Sequence, residues 1–183
     1  MNRFLPIVGV MGSGRDLHEK WAVPLGQLLA SKPVHLLTGA GQGTMTSVSK
    51  AFAENDNRKG LCLGVVPSEQ RQGEEGIFNK AGYPNPYVEM AIQSPLGTFS
   101  GENPKMISRN HINIMTSHAI VALPGNVGTL NEVHICLWLK KPVIMFGSDE
   151  LFAAFPKEVE KTQDIKRVDN FLDETLKFNN KAA

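Results

Sequence analysis

The sequence lacks the features that mark several large classes of protein. Its 183 residues carry a net charge of only +1, which gives no support to a general nucleic-acid binder or a membrane-surface binder. No apolar run approaches the roughly 18 residues needed to span a bilayer. The N-terminus lacks the charged region and the small-residue cleavage site of a signal peptide. We therefore expect a cytoplasmic protein without nucleic-acid or membrane partners.

Cysteine and metal-ligand patterns are equally scarce. The two cysteines, Cys62 and Cys136, lie in apolar runs, which favours buried thiols over a disulfide framework. The five histidines show no HExxH or other metal-ligand spacing, so we expect no metal site. The Walker spacing GxxxxGK[ST], the GxSxG elbow and the catalytic-cysteine signatures are missing as well. Walker-type nucleotide hydrolysis is therefore disfavoured.

What the chain does have is an alternation of apolar runs and helical patterns. With 42% hydrophobic residues, residues 1–183 suit one globular domain. Apolar runs predict strands at residues 7–11, 34–37, 61–66, 119–123 and 143–146, with a further candidate at 87–91. Helical spacing predicts helices at residues 17–30, 45–54, 105–117, 129–140 and 167–178. The alternation predicts an α/β, Rossmann-like, doubly wound fold, in which a mostly parallel sheet carries helices on both faces.

Two polar stretches interrupt this alternation, at residues 68–86 and 97–104. Their Gly, Pro, Asn, Gln and Glu content cannot build a core, so both are predicted to be surface loops. We expect the first of them to lie over the ligand site.

Glycine-rich turns follow three of the predicted strands, and α/β proteins bind ligands at the carboxyl ends of their strands. Glycine lets backbone approach a ligand closely, and free amides at a helix start favour a phosphate. The turn that begins at Pro124 is the strongest of the three. Its alternative interpretation is a tight turn with Thr129 as the helix N-cap. The ligand-binding candidates from all three turns are Gly12, Ser13, Gly39, Gly41, Gly43, Gly125, Asn126, Gly128 and Thr129.

Two charged residues near the last turn, Arg109 and Glu132, are candidates for chemistry. Helical geometry predicts that Ile107 and Ile114 face the sheet, which leaves Arg109 free to point elsewhere. The alternative for Arg109 is a solvated surface arginine. Glu132 either faces the ligand pocket or sits where a carboxylate suits the helix N-terminus.

At these positions the sequence resembles the Lonely Guy (LOG) family, whose members are often mislabelled lysine decarboxylases. Residues 124–132 are similar to its PGGxGTxxE motif, residues 106–110 to its MHxRK motif, and residues 38–45 to its GGGxxGLM turn. The similarity runs from about residue 7 to residue 146. Three family positions differ: Ile107 replaces the histidine, Asn110 the lysine and Asn126 the second glycine.

The resemblance implies a phosphoribohydrolase that splits a nucleoside 5′-monophosphate into free base and ribose 5-phosphate. Arg109 and Glu132 match the catalytic pair of the family. The reaction requires no cofactor, and a bound nucleotide or phosphorylated cofactor is the expected ligand.

Another branch of the superfamily, the molybdenum-cofactor carrier proteins, is similar over residues 108–114. That similarity implies a non-catalytic carrier of a phosphorylated cofactor. A third hypothesis is a domain that keeps only the fold. The family also implies a homodimer or higher homo-oligomer packed around residues 130–140, a segment that is apolar around much of its helix.

Overall fold

A computed structural model describes residues 5–70, 73, 75–76, 78–96 and 103–177. Strands and helices alternate along this chain. Their order is β1 (Ile7–Met11), α1 (Glu19–Ser31), β2 (His35–Thr38), α2 (Thr44–Ala53), β3 (Cys62–Glu69), β4 (Phe78–Asn79), β5 (Met90–Ser94), α3 (Arg109–Thr116), β6 (Ala119–Ala122), α4 (Val127–Trp138), β7 (Val143–Phe146), a 3₁₀ helix (Asp149–Phe152), β8 (Lys161–Thr162) and α5 (Ile165–Leu176).

The strands form one eight-stranded sheet in the order β4-β3-β2-β1-β6-β7-β8, with β5 also paired to β3. All pairs are parallel except β3 with β4 among the described residues. The chain winds outward from β1 to β2 and β3, and later returns to the other side of β1 at β6. In sheets of this type, ligands bind at the carboxyl ends of the strands where the winding reverses. Here that place lies between β1 and β6.

Alternate residues of the central strands supply two cores, one on each face of the sheet. Val8 and Val10 of β1 pack in the core shared with α1, α2 and α5. Met11 belongs to the opposite core, with Ile114 of α3 and Ile135 of α4. This arrangement confirms the α/β class, the mostly parallel sheet and the helices on both faces.

The structure shifts the predicted helix starts, and two of these shifts affect the candidate site residues. The predicted helix at residues 105–117 begins only at Arg109, because Ser108 and His111 form a capping box there. The predicted helix at residues 129–140 begins at Val127, with extended Asn126 as its N-cap. Thr129 is therefore not the N-cap of α4, and that interpretation is wrong.

The polar stretch at residues 68–86 is not loop alone. Strand β3 continues to Glu69 and pairs with β4 in an antiparallel hairpin. The candidate strand at residues 87–91 lies slightly later, as β5. Most of the predicted loop at residues 97–104 lies outside the described residues.

Both cysteines are buried and free, as their apolar runs predict. No helix within the described part of the chain has the length and apolar character needed to cross a bilayer. The cytoplasmic location stays a prediction.

Candidate functional site

A cavity of about 180 Å³ lies where the winding of the sheet reverses. Loops and helix starts that follow β1, β2 and β6 form its wall, together with α3 and one residue of the stretch between β4 and β5. The lining residues are Met11, Gly12, Ser13, Gly14, Met45, Tyr83, Arg109, Asn110, Asn126, Gly128, Thr129 and Glu132.

A wider groove of about 720 Å³ runs along α1 and α2. The charged side chains that line it are all exposed: Glu19, Lys50, Glu54 and Asp56. The smaller cavity instead contains two buried charged residues, since Arg109 is 7% and Glu132 6% exposed. Burial of an ionisable group is energetically unfavourable, and such groups are found most often at functional sites. The smaller cavity is therefore the candidate functional site.

Arg109 is anchored below the turn that follows β2. Its Nη1 donates a hydrogen bond to the carbonyl oxygen of Gly39 and another to that of Val65, the latter at 3.0 Å. The guanidinium carbon lies 5.6 Å from the ring centroid of Tyr83, in a cation–π contact. Its Nε is buried and has no hydrogen-bond partner among the described residues. The arginine thus retains one buried donor that the described residues leave unpaired.

The predicted orientation of this segment is wrong in part. Ile114 does face the sheet, but Ile107 precedes the helix and is 65% exposed. Because α3 starts at Arg109, its first residue turns inward over the sheet edge, which rules out a solvated surface arginine. The predicted orientation of Ile107 is wrong because the predicted helix begins one turn too early, at residue 105 instead of Arg109.

Glu132 lies beyond the first turn of α4, so the interpretation as a carboxylate that suits the helix N-terminus does not apply. Its Oε1 accepts a hydrogen bond from Nδ2 of Asn113 at 3.3 Å. Burial raises the pKa of the Glu132 carboxyl to about 7, against the opposing effects of the Arg109 charge and the Asn113 hydrogen bond. Near neutral pH this carboxyl can therefore either hold or release a proton.

Asparagines join α3 to α4 beside the cavity. Nδ2 of Asn110 donates to Oδ1 of Asn131 at 2.9 Å, at the position where the LOG motif has lysine. Oδ1 of Asn113 and Nδ2 of Asn131 are buried without partners in the described part of the chain. The family lysine is thus replaced by a neutral side chain that is already hydrogen-bonded within the protein.

The start of α4 forms another wall of the cavity. Asn126, its N-cap, makes no side-chain capping hydrogen bond, and the first amides of a helix have no partner within that helix. Gly128 and Thr129 line the cavity at this helix start. A Cβ added to Gly128 would meet nothing within 4 Å. The space beside Gly128 is therefore open to a ligand, next to the positive end of the helix dipole.

Ser13 both lines the cavity and organises the turn after β1. Its hydroxyl oxygen accepts from the amides of Arg15 and Asp16 at 3.1 and 3.0 Å. Its own amide donates to the carbonyl oxygen of Pro124 at 3.1 Å, which joins the β1 turn to the β6 turn. Gly125 lies at this junction, where a Cβ would overlap the hydroxyl of Thr129. Gly125 is therefore behind the cavity and Gly12 in its wall.

The glycines of the β2 turn do not line the cavity. A Cβ on Gly39 would lie 3.1 Å from Nη1 of Arg109, and one on Gly41 would lie 2.9 Å from Oη of Tyr83. Gly43 has a φ of +64° and packs against the backbone of the β1 turn. These glycines support the side chains of the site, and a direct ligand-binding role for them stays a prediction.

Sequence reasoning missed Tyr83 and Met45 as lining residues. Tyr83 lies in the polar stretch 68–86, whose composition predicts a loop over the site without indicating which side chain enters it. Asn85 fixes this loop to the β2 turn, with its Nδ2 3.0 Å from the carbonyl oxygen of Gly41. Met45 lies in the first turn of α2, and only the fold shows that this turn reaches the cavity.

Among the described residues, no three His, Cys, Asp or Glu side chains lie together in a group that could hold a metal ion. The polar groups that the cavity offers are a guanidinium, a carboxyl, amides and hydroxyls. These groups are suited to an anionic organic ligand rather than to direct metal coordination.

Comparison with known proteins agrees with this architecture. A molybdenum cofactor binding protein from the phototrophic bacterium Rippkaea orientalis is 27% identical, with a TM-score of 0.72 over 94% of this chain and 98% of that chain. The molybdenum cofactor carrier protein of Chlamydomonas reinhardtii is 26% identical, with a TM-score of 0.68 over 95% and 99% of the two chains. An uncharacterised protein from Archaeoglobus fulgidus is 26% identical over 149 residues, which is 76% of this chain and 83% of that protein.

The resemblance to the LOG superfamily, near its molybdenum-cofactor carrier branch, is thereby confirmed. The model of the SLOG cluster4 family matches residues 5–173. Because this match spans nearly the whole chain, the protein belongs to the SLOG cluster4 family.

Proposed function

We propose that this protein binds a small phosphorylated molecule in the cavity between β1 and β6, and that it acts as a carrier of a phosphorylated heteroaromatic cofactor. The observation that carries the proposal is the buried Arg109. Its guanidinium makes no ion pair within 4 Å among the described residues, and its Nε has no partner. A buried permanent charge needs compensation, and the carbonyls of Gly39 and Val65, together with a Glu132 carboxyl that is only partly ionised near pH 7, supply part of it. A ligand phosphate supplies the rest.

The start of α4 supports the same ligand class. The amides at Gly128 and Thr129 are available beside an open space, and a helix N-terminus favours an anion. Arg109 and this helix start line one cavity, so a single phosphorylated ligand can reach both. Ligands that lack an anionic group leave both features unused.

The carrier function follows from the relatives together with the changed motif. Two similar solved structures are described as a molybdenum cofactor binding protein and a molybdenum cofactor carrier protein. The residues here fit the phosphate of such a cargo, through Arg109 and the start of α4. Asn110 replaces the lysine of the LOG motif, which removes one charge from the catalytic surroundings of that family.

A second candidate function, nucleotide phosphoribohydrolase, is favoured by Glu132. Its carboxyl lines the same cavity as Arg109, and its pKa of about 7 suits proton transfer near neutral pH. In this reaction the carboxylate of Glu132 would stabilise the oxocarbenium charge on the ribose or help water to attack. Arg109 would orient the anionic substrate.

Two measurements on the purified wild-type protein test these functions. Mass spectrometry identifies small molecules that co-purify, and incubation with adenosine and guanosine 5′-monophosphates tests for released base. A co-purifying phosphorylated cofactor without base release supports the carrier. Base release that falls by about 10²–10³-fold in Glu132→Gln, with ligand affinity kept, supports the hydrolase. No bound ligand, no affinity for either monophosphate and no turnover would contradict both functions.

We also propose that the protein is a homodimer or higher homo-oligomer. Exposed apolar side chains on and beside α3 and α4 support this proposal: Ile107 and Met115 are each 65% exposed, and Trp138 is 46% exposed. Light scattering should give a mass above that of the 20.0 kDa chain. A monomer across micromolar concentrations would contradict the proposal.

A further inference from the structure

We propose that Tyr83 selects ligands in which the phosphorylated end is joined to a planar aromatic ring, because its side chain provides the surface on which that ring stacks. This inference rests on the proposed ligand-binding function and assigns the side chain that recognises the aromatic part of the ligand. Neither the LOG motifs nor the glycine turns include Tyr83, which comes from the stretch between β4 and β5.

The cavity wall divides into two chemically different parts. One part consists of the start of α4 and the guanidinium of Arg109, which suit an anion. The other part consists of Tyr83 and Met45, which meet over Gly41: a Cβ there would lie 2.9 Å from Oη of Tyr83 and 2.7 Å from Cε of Met45. A thioether and an aromatic ring side by side form an apolar, polarisable surface. A ligand with a phosphate and a flat ring matches both parts of the wall.

The Tyr83 side chain is held in place before any ligand binds. Its ring packs on the guanidinium of Arg109, with 5.6 Å between the guanidinium carbon and the ring centroid. The backbone that carries it is tied to the β2 turn, since the Asn85 amide donates to the carbonyl oxygen of Ala40 at 2.8 Å. On the other side, Nε2 of Gln42 donates to the carbonyl oxygen of Gly82 at 2.8 Å. An aromatic surface fixed in this way needs little further ordering when a ligand binds.

The cavity is too small to enclose a whole nucleotide-sized ligand. Its volume of about 180 Å³ is below the roughly 300 Å³ at which pockets begin to enclose drug-sized ligands. In the proposed binding mode the phosphorylated end lies at Arg109 and the start of α4, and the remainder of the ligand extends past Tyr83. Tyr83 is half-buried, so part of its side chain remains accessible to that remainder.

The experiment compares two ligands that share the phosphorylated sugar and differ in the ring. Guanosine 5′-monophosphate and ribose 5-phosphate are titrated calorimetrically into wild type, Tyr83→Phe and Tyr83→Leu. Stacking of a base on an aromatic side chain changes affinity by about 5- to 150-fold, so wild type should prefer guanosine 5′-monophosphate by a factor in that range. Tyr83→Phe should keep the preference. Tyr83→Leu keeps apolar bulk over Gly41 and should lose the preference, with ribose 5-phosphate affinity changed less than threefold.

The second tyrosine provides a matched control. Tyr87 lies in the same stretch but lines the wide groove along α1 and α2, so Tyr87→Leu should leave the preference unchanged. Equal affinities of wild type for the two ligands would overturn the role of Tyr83, as would a preference that survives in Tyr83→Leu or an equal loss of both ligands there. Wild type that binds neither ligand would instead overturn the proposed function, and this inference with it.

Discussion

Two glycine-rich turns of similar composition have opposite surroundings in this fold. After β6, a Cβ on Gly128 would meet nothing within 4 Å, in a position that lines the cavity. After β2, a Cβ on Gly43 would lie 2.6 Å from the carbonyl oxygen of Ser13 and 2.7 Å from the amide of Arg15. One glycine leaves room for a ligand, and the other leaves room for the protein's own backbone. The surroundings of a glycine, rather than its sequence, distinguish the two roles.

The two turns nevertheless serve one site. The β2 turn holds Arg109 through the carbonyl of Gly39 and gives Tyr83 its packing surface at Gly41. In the proposed binding mode, the β6 turn and the start of α4 offer amides to the ligand. We therefore expect substitutions in the β2 turn to act first on stability and those in the β6 turn to act first on binding.

The largest effect is expected for Gly43→Ala. A φ of +64° is strained for an L side chain, at about 1–3 kcal/mol, and the overlap with the β1 turn adds an overpacking cost of about 1–3 kcal/mol. The free energy of unfolding, measured in urea, should therefore fall by about 2–6 kcal/mol. Gly82→Ala is the matched control, since Gly82 has a φ of +81° and nothing within 4 Å of its added Cβ. Equal losses in the two variants would show that the packing of Gly43 against the β1 turn is unimportant.

Replacement of Arg109 should have the next largest effect, and this effect should be on ligand affinity rather than on stability. Arg109→Met removes the buried charge that compensates a ligand phosphate, and loss of one partner of such a buried pair costs about 2–5 kcal/mol. Affinity for guanosine 5′-monophosphate should fall at least about 30-fold. Arg167→Met is the control, because Arg167 pairs with Glu160 at 2.6 Å on the surface. Unchanged affinity in a folded Arg109→Met variant would remove Arg109 from the site.

The buried carboxyl predicts a dependence of stability on pH. The pKa of Glu132 is about 7 in the folded chain, against an ordinary value of 4.5. Because the pKa is higher in the folded chain, the protonated form of Glu132 favours the folded state. This stabilisation is complete below about pH 4.5 and is lost as pH rises to about 7. By linkage the loss is on the order of 3 kcal/mol. Glu132→Gln does not titrate, so the difference in unfolding free energy between variant and wild type should change by that amount across this window. A constant difference would contradict the burial of a titrating carboxyl.

The smallest effect is expected for Gly128→Ala, for which stability and ligand affinity should change in opposite directions. Alanine favours a helix over glycine by up to about 1 kcal/mol, so the variant should be slightly more stable than wild type. Its methyl group occupies the open space beside the helix start, so affinity for guanosine 5′-monophosphate should fall. Thr129→Ala should weaken binding less than Gly128→Val does. A more stable Gly128→Ala variant with full affinity would show that the ligand does not approach this turn.

The sequence predicts much of the fold because hydrophobic periodicity and glycine turns are local signals. Strands β1 and β7 lie where their apolar runs predict them. The helix starts are less well predicted, since the capping box of Ser108 and the extended backbone at Asn126 set them independently of the apolar pattern. The prediction that Ile107 faces the sheet is wrong for this reason, because it depends on where α3 begins.

The candidate site is predictable only in part. Gly12, Ser13, Gly128 and Thr129 line one cavity because strand ends meet at the reversal of a parallel sheet. Tyr83 reaches that cavity through hydrogen bonds between residues about 40 positions apart in sequence, such as Gln42 with Gly82. Such long-range contacts cannot be predicted from a local sequence pattern. The different surroundings of Gly43 and Gly128 cannot be predicted from one either.

The most direct test of the account asks whether the cavity recognises a phosphate through the start of α4. Guanosine 5′-monophosphate and guanosine are titrated calorimetrically into wild type and Gly128→Val, after circular dichroism has established that both are folded. We expect wild type to bind the monophosphate at least about tenfold more tightly than the nucleoside, by about 1.4 kcal/mol or more, and Gly128→Val to lose this preference. Equal affinities in wild type, or a preference that survives in Gly128→Val, would contradict the account.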